Sequence, residues 1–281
     1  MKKIQNYVTE AITLPGLYMK SLYKGIQMKE LFDNVETYCM FLGYQRSGHS
    51  LMGALLNAHS DIVVSHELGV LKYIFARFSK RQIFSLILEN SVEFANSGSG
   101  SGKRYSYKVP GQWQGRFQRL KIIGDKHGEG ATLRFAARPL LIHRLQKTIN
   151  LDIKAFHIVR NPYDNISTIS KRMGIGLEES IAYYFSLCKT IAGIKKRRDH
   201  RIDILDFKHE AFIENPKELL KQMCVFLGVD APNDYLTDCS GIVYKSPHKT
   251  RYKAPWNNSL ITQVKEKIDQ FPFLEGYVYE N

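Results

Sequence analysis

Short apolar runs alternate along this chain with longer stretches whose apolar positions recur at helical spacing. "TYCMFLGY" (37–44), "DIVVSHE" (61–67), "LKIIGDK" (120–126), "IKAFHIVR" (153–160) and "RIDILDF" (201–207) read as strands. Helices are predicted from about His49 to Ala58, from about Asp164 onward, and over "NPKELLKQMCVFLG" (215–228). Asp164 reads as the helix N-cap. Near-continuous apolar strands separated by helices predict an α/β fold, with a central parallel sheet covered by helices on both faces. No internal repeat is visible, and 1–281 reads as one domain. An amphipathic helical segment (1–36) leads it. Two irregular stretches interrupt the rhythm: "NSGSGSGKRYSYKVPGQWQGRF" (96–117), a flexible loop or lid, and "YKSPHKTRYKAPWNNS" (244–259).

Composition narrows the class. Of 281 residues, 44% are hydrophobic and 24% charged, as in ordinary globular proteins. No run approaches the roughly 20 apolar residues of a membrane span. The N-terminus lacks an apolar h-region, so no signal peptide is read and a cytoplasmic location is expected. Four widely spaced cysteines lack metal or redox spacing and predict buried free thiols. Nine histidines form no HExxH-like cluster, and no metal is predicted.

A net charge of +13 suits anionic ligands, nucleic acid or a membrane surface without separating them. The densest run, "KKRR" (195–198), closes an apparent helix. Cations there complement the helix dipole, so a solvated helix end is expected.

The strand 37–44 leads into "GYQRSGHSL", which nearly spells a nucleotide loop. Gly43, Gly48 and Ser50 fit the P-loop spacing, but His49 stands where ATP-binding loops carry lysine. In a strand–turn–helix of this kind residues 45–50 curl so that successive backbone N–H groups point inward, and the helix N-terminus adds further donors for an anion. Ser47 and Gly48 allow close approach, and Ser50 adds a hydroxyl. The positive charge has moved to Arg46, whose planar guanidinium suits a bidentate grip on phosphate or sulfate. "RNPYDNIST" places Arg160 at a strand's carboxyl end, with Ser167 and Thr168 in the following helix. By itself this is ordinary strand–turn–helix chemistry; beside the first loop it offers a second phosphate site.

Together the two motifs resemble the sulfotransferases that use 3′-phosphoadenosine-5′-phosphosulfate (PAPS). The likeness is strongest to the protein-tyrosine and carbohydrate branch and its bacterial-type relatives. It runs on through "LMGALLNAHSDI" and "DILDFKHEAFIENPKELLKQMCVFLGV". The resemblance implies a P-loop-like sheet and transfer of the sulfuryl group from PAPS to a hydroxyl or amine of a small-molecule acceptor. PAP is left as product, and no metal is involved. It implies that Arg46 and the backbone of Ser47, Gly48, His49, Ser50 and Leu51 hold the 5′-phosphosulfate. Arg160 with Thr168, or its neighbour Ser167, would hold the 3′-phosphate. Ser246, Lys249 and Arg251 resemble a C-terminal loop that closes over the nucleotide.

Glu67 stands 21 residues after Arg46, the spacing of the branch's catalytic glutamate, and ends the second strand. His66 is the near alternative, although strand alternation would point it to the opposite face. Lys126 resembles a lysine that contacts the transferring group. Adjacent His127 is the second candidate base. The adenine-stacking aromatic of the cytosolic branch is missing from "HSLM", and His209 stands where tyrosine is frequent, so the adenine contacts stay open.

Two other classes compete. A P-loop kinase needs the loop lysine and Mg²⁺ ligands. A non-enzymatic nucleic-acid binder would use the basic patches, but no recognised module accompanies them. Neither nucleic acid nor stable membrane insertion is expected; a homo-oligomer is compatible with the sequence.

Overall fold

The computed structural model describes residues 2–97, 107–197 and 201–280; the side chains of residues 2–13 and of Ser97 lie outside the described part. Helices α1 (Lys2–Gln27) and α2 (Lys29–Asp33) lead into strand β1 (Thr37–Gly43) and helix α3 (His49–Leu56). Strand β2 (Ile62–His66) precedes α4 (Val70–Phe75) and α5 (Lys80–Ser97). Strand β3 (Ile122–Lys126) precedes α6 (Gly128–Ala137) and α7 (Leu141–Ile149). Strand β4 (Asp152–Val159) precedes α8 (Pro162–Met173) and α9 (Leu177–Lys196). Strand β5 (Ile202–Lys208) is followed by α10 (His209–Glu214), α11 (Pro216–Leu227), α12 (Asn233–Gly241), a 3₁₀ turn (Thr250–Lys253) and α13 (Asn258–Ile268).

The strands form one parallel sheet in the order β2-β3-β1-β4-β5. Strand β1 shows why its sequence is apolar throughout. Tyr38, Met40 and Leu42 enter one core with residues of α4, α5 and α7. Cys39 and Phe41 enter another, against α3, α11 and α12. Both faces of the strand are covered, so alternation disappears and every β1 residue is buried. A third cluster joins α8, α9 and α13. All four cysteines are buried free thiols.

Helix α1 docks on α5: Gln82 donates to the Tyr18 carbonyl at 3.0 Å, and Lys24 pairs with Glu89. Among the described residues no helix is long and apolar enough to cross a membrane. Residues 98–106 of the expected flexible loop lie outside the described part. The remainder is anchored: Trp113 N bonds Ala58 O at 3.1 Å, and Gln114 accepts from Val109 N at 2.9 Å.

Two local expectations are corrected. Helix α8 begins at Pro162 and its N-cap is Asn161, whose side chain accepts from Tyr163 N. Proline at the first helical position needs no N–H partner, so the cap moves ahead of it. Asp164 is released from capping and pairs with Arg251 instead. Nor is Lys195 a solvated helix end. It pairs with Asp206, which also meets His157 at 2.5 Å, and its ammonium lies over the Phe273 ring. The side chains of α9, β4 and β5 meet in this cluster through Lys195, His157 and Asp206; Arg198 of the same run lies outside the described residues.

Candidate active site

The parallel sheet brings five strand ends to one edge. Beyond them lies a cavity of about 840 Å³, lined by residues that follow or close every strand: Arg46, Glu67, Lys126, Arg160 and His209. Crevices outside the carboxyl ends of open α/β sheets are the usual ligand sites. A smaller cavity of about 300 Å³, between Asn57, Phe94 and Gln114, holds none of the predicted side chains.

The turn after β1 is built around left-handed residues. Arg46 has φ 67° and Gly48 has φ 93°. A Cβ at Gly48 would also stand 2.4 Å from His209 Nδ1, so glycine is required there twice over. Arg46 is exposed on the cavity wall. Ser47 is fully buried and accepts from Asn165 Nδ2 at 2.7 Å, tying the turn to α8. His49 turns back into the core, where its Nε2 donates to Leu42 O at 3.1 Å. Burial lowers its pKa to about 3, against the raising effect of that bond. The imidazole is therefore neutral and braces the turn. Gly48, His49, Ser50 and Leu51 all reach the cavity wall.

Lys126 Nζ donates to Glu67 Oε1 at 2.9 Å and to Ser50 Oγ at 3.1 Å, joining β3, the end of β2 and the start of α3. Its side chain is 3% exposed and that of Glu67 is 57% exposed. A Cβ at Gly53 would lie 2.8 Å from Lys126 Cγ, so α3 leaves a slot for the lysine stem. Burial opposes ionisation of Glu67, but the charge and hydrogen bond of Lys126 outweigh it and hold the carboxyl below its ordinary pKa. Burial pulls Lys126 below the ordinary lysine value, with Glu67 pushing back. His127 lies on the same wall; burial lowers its pKa despite nearby Asp125 and Glu67. His66 does not join them: it stacks on Phe94 with ring centroids 3.9 Å apart.

Arg160 is 7% exposed and stitches two loops together. It donates to Arg46 O at 3.2 Å and to the carbonyl of His248, and its Nε has no partner. Thr168 lines the cavity beside it, with its hydroxyl donating to Asp164 O at 2.8 Å. Ser167, one helical step away, points elsewhere. It donates to Tyr163 O at 2.7 Å and accepts from Trp256 Nε1 at 2.8 Å.

The C-terminal loop divides similarly. Ser246 and Lys249 line the cavity. Arg251 is 1% exposed and its Nη1 meets Asp164 Oδ2 at 2.5 Å, so it pins the loop from behind.

The cavity also gathers residues outside the sequence-derived set, among them Gln45, Glu129, Arg172, His248 and Lys253. Glu129 accepts from Tyr183 Oη at 2.7 Å and from the Gln45 N–H. His209, noted in the sequence only as a departure from the resemblance, is 8% exposed with an unpartnered Nδ1. Burial foremost, then Arg160, lowers its pKa to about 3. Its place directly after β5 is the one signal that could have marked it, since the other strand ends supply site residues too.

No protein-family model matches this chain. No curated protein matches it either. Solved structures do. A sulfotransferase domain from the curacin biosynthetic pathway aligns with TM-score 0.51 and 15% identity, over 84% of this chain and 98% of that one. A sulfotransferase domain from the Synechococcus PCC 7002 olefin synthase aligns with TM-score 0.47 and 15% identity, over 83% and 88%. A mouse sulfotransferase complexed with PAP aligns with TM-score 0.41 and 11% identity, over 83% and 73%. With its five-stranded parallel sheet and helix-flanked turn after β1, the chain has the P-loop-like α/β fold of the sulfotransferases.

Proposed function

We propose that this protein is a PAPS-dependent sulfotransferase acting on a small-molecule acceptor. The observation that carries the reading is the single cavity that joins two anion-binding centres to a lysine-bridged carboxylate. The first centre is Arg46 with the N-terminus of α3. The second is Arg160 with Thr168 and Lys249. Two cationic centres on the same side of a carboxylate base, in the order Glu67, Lys126, Arg46, Arg160 along the sheet edge, suit a nucleotide with a 5′-phosphosulfate near the base and a 3′-phosphate beyond it. Arg160 lines this cavity with a buried Nε that has no partner, which fits an anionic group held against it. About 840 Å³ lies within the usual range for ligand sites.

When bound, PAPS supplies a sulfuryl group activated by its link to phosphate. Glu67 takes the proton of the acceptor's hydroxyl or amine as the new bond to sulfur forms and the bond to the 5′-phosphate oxygen breaks. Arg46 and Lys126 neutralise charge on the leaving and transferring oxygens. The backbone N–H groups of 47–51 orient the group for in-line displacement. His127 is the alternative base. A kinase reading is disfavoured because His49, at the lysine position, is turned onto Leu42.

Titration calorimetry with PAP, AMP and ATP tests nucleotide choice, and PAP should bind tightest. Labelled PAPS with alcohols, phenols, amines and sugars, read by mass, tests transfer. No PAP binding together with no sulfonated product in any class overturns the reading.

A further inference from the structure

A second carboxylate stands behind the Glu67–Lys126 pair. Asp125 precedes Lys126 on β3, is 5% exposed and lies opposite Ser65 in the parallel register. Its Oδ1 accepts from Ser65 Oγ at 2.9 Å and Leu68 N at 3.2 Å. Its Oδ2 accepts from Gly69 N and Val70 N, both at 2.9 Å. Four donors need about four acceptor sites, and an anionic carboxylate has them. The three backbone donors belong to the reversal directly after Glu67 and the start of α4, where N–H groups have no partner within the helix. Glu67 itself has φ 56°, in the left-handed region, and its N–H bonds Lys126 O at 3.0 Å. Such a conformation persists where the surroundings over-determine it.

We propose that Asp125 is the positioning residue of the reaction centre. It holds the N–H groups of Leu68, Gly69 and Val70, and so fixes the Glu67 backbone beside Lys126. Alternation on β3 sends the Lys126 and Asp125 side chains to opposite faces. One meets the Glu67 carboxylate directly; the other grips the chain that carries it. The chemical half of this assignment rests on the sulfuryl-transfer reading. The structural half rests on geometry alone.

Asp125→Asn keeps the size but turns one acceptor oxygen into a donor that faces donors. Hydrogen exchange on the full chain should then be about 10-fold faster or more at Leu68, Gly69 and Val70, the effect of losing hydrogen bonds of ordinary strength, with 49–56 unchanged. PAP affinity should stay within about 2-fold. The kcat should fall about 10–100-fold through misplacement of the base, with acceptor KM unchanged. In a Glu67→Gln background the same substitution should add less than about 3-fold, because both act through one group. Ser65→Ala, which removes a single donor, should give the same pattern at smaller size and serves if Asp125→Asn does not fold. Unchanged exchange at 68–70 overturns the positioning role. So do multiplicative effects on kcat, or a matching loss of PAP affinity. A native chain that neither binds PAP nor transfers sulfuryl overturns the functional reading instead, and the exchange result still decides what Asp125 holds.

Discussion

Lys126 Nζ lies 2.9 Å from Glu67 Oε1, bridging the ends of neighbouring strands β2 and β3. Glutamine at 67 keeps the bulk and an oxygen for Lys126 but cannot take a proton. Glu67→Gln should therefore lower turnover by about 10²–10⁴-fold, the usual worth of a general base. PAP affinity, measured by calorimetry, should hardly change. Unchanged turnover assigns the base to His127.

Arg160 is expected to discriminate nucleotides by their 3′-phosphate. Native protein should bind PAP more tightly than AMP. In Arg160→Ala that preference should shrink by about 10–100-fold, as loss of charge-assisted hydrogen bonds worth about 1.5–3 kcal/mol implies. Calorimetry with both nucleotides measures the ratio, and a preserved preference removes Arg160 from the phosphate site.

The buried Arg251–Asp164 pair predicts a stability effect. Arg251→Ala leaves the Asp164 carboxylate buried without its partner and should cost about 3–5 kcal/mol. Urea unfolding of the single variants and of Asp164→Ala/Arg251→Ala should show strong non-additivity. A loss below about 1 kcal/mol in Arg251→Ala would mean that solvent reaches the pair.

Stability should also fall in mild acid. His49 and His209 are buried, with pKa lowered to about 3. Between about pH 6.5 and 3 the unfolded chain holds protons on both that the native chain does not, so stability rises with pH there. Their contribution is complete above about pH 6.5 and is lost as pH falls toward 3. Each histidine adds a slope of up to about 1.4 kcal/mol per pH unit. Urea unfolding from pH 7 to 5 should show it, with a shallower slope in His209→Gln. Identical slopes would show that His209 takes up its proton while folded.

Much of the fold was legible because its signals are local. β1 is apolar at nearly every position because helices cover both faces, and the glycine turn at 43–48 with its following helix is encoded within a dozen residues. The spacing that singles out Arg46 and Arg160 needed no coordinates either. Helix boundaries shifted slightly, most visibly where Pro162 moved the cap from Asp164 to Asn161.

Which side chain of a motif faces the cavity was not legible, because helix docking decides it. Ser167 and Thr168 are interchangeable in sequence, yet the packing of α8 against Trp256 turns one inward and leaves the other on the cavity wall. Arg251 looks like its neighbour Lys249 until Asp164, far away in the chain, draws it into the core. His209 and Asp125 carry no motif at all; the edge of the sheet gives them neighbours. By itself the sequence determined the strands, the glycine turn after β1 and the spacing of its charges, since these depend on residues a few positions apart. Only the tertiary structure decided which charges meet in one cavity and which are buried as supports, since that depends on elements brought together from across the chain.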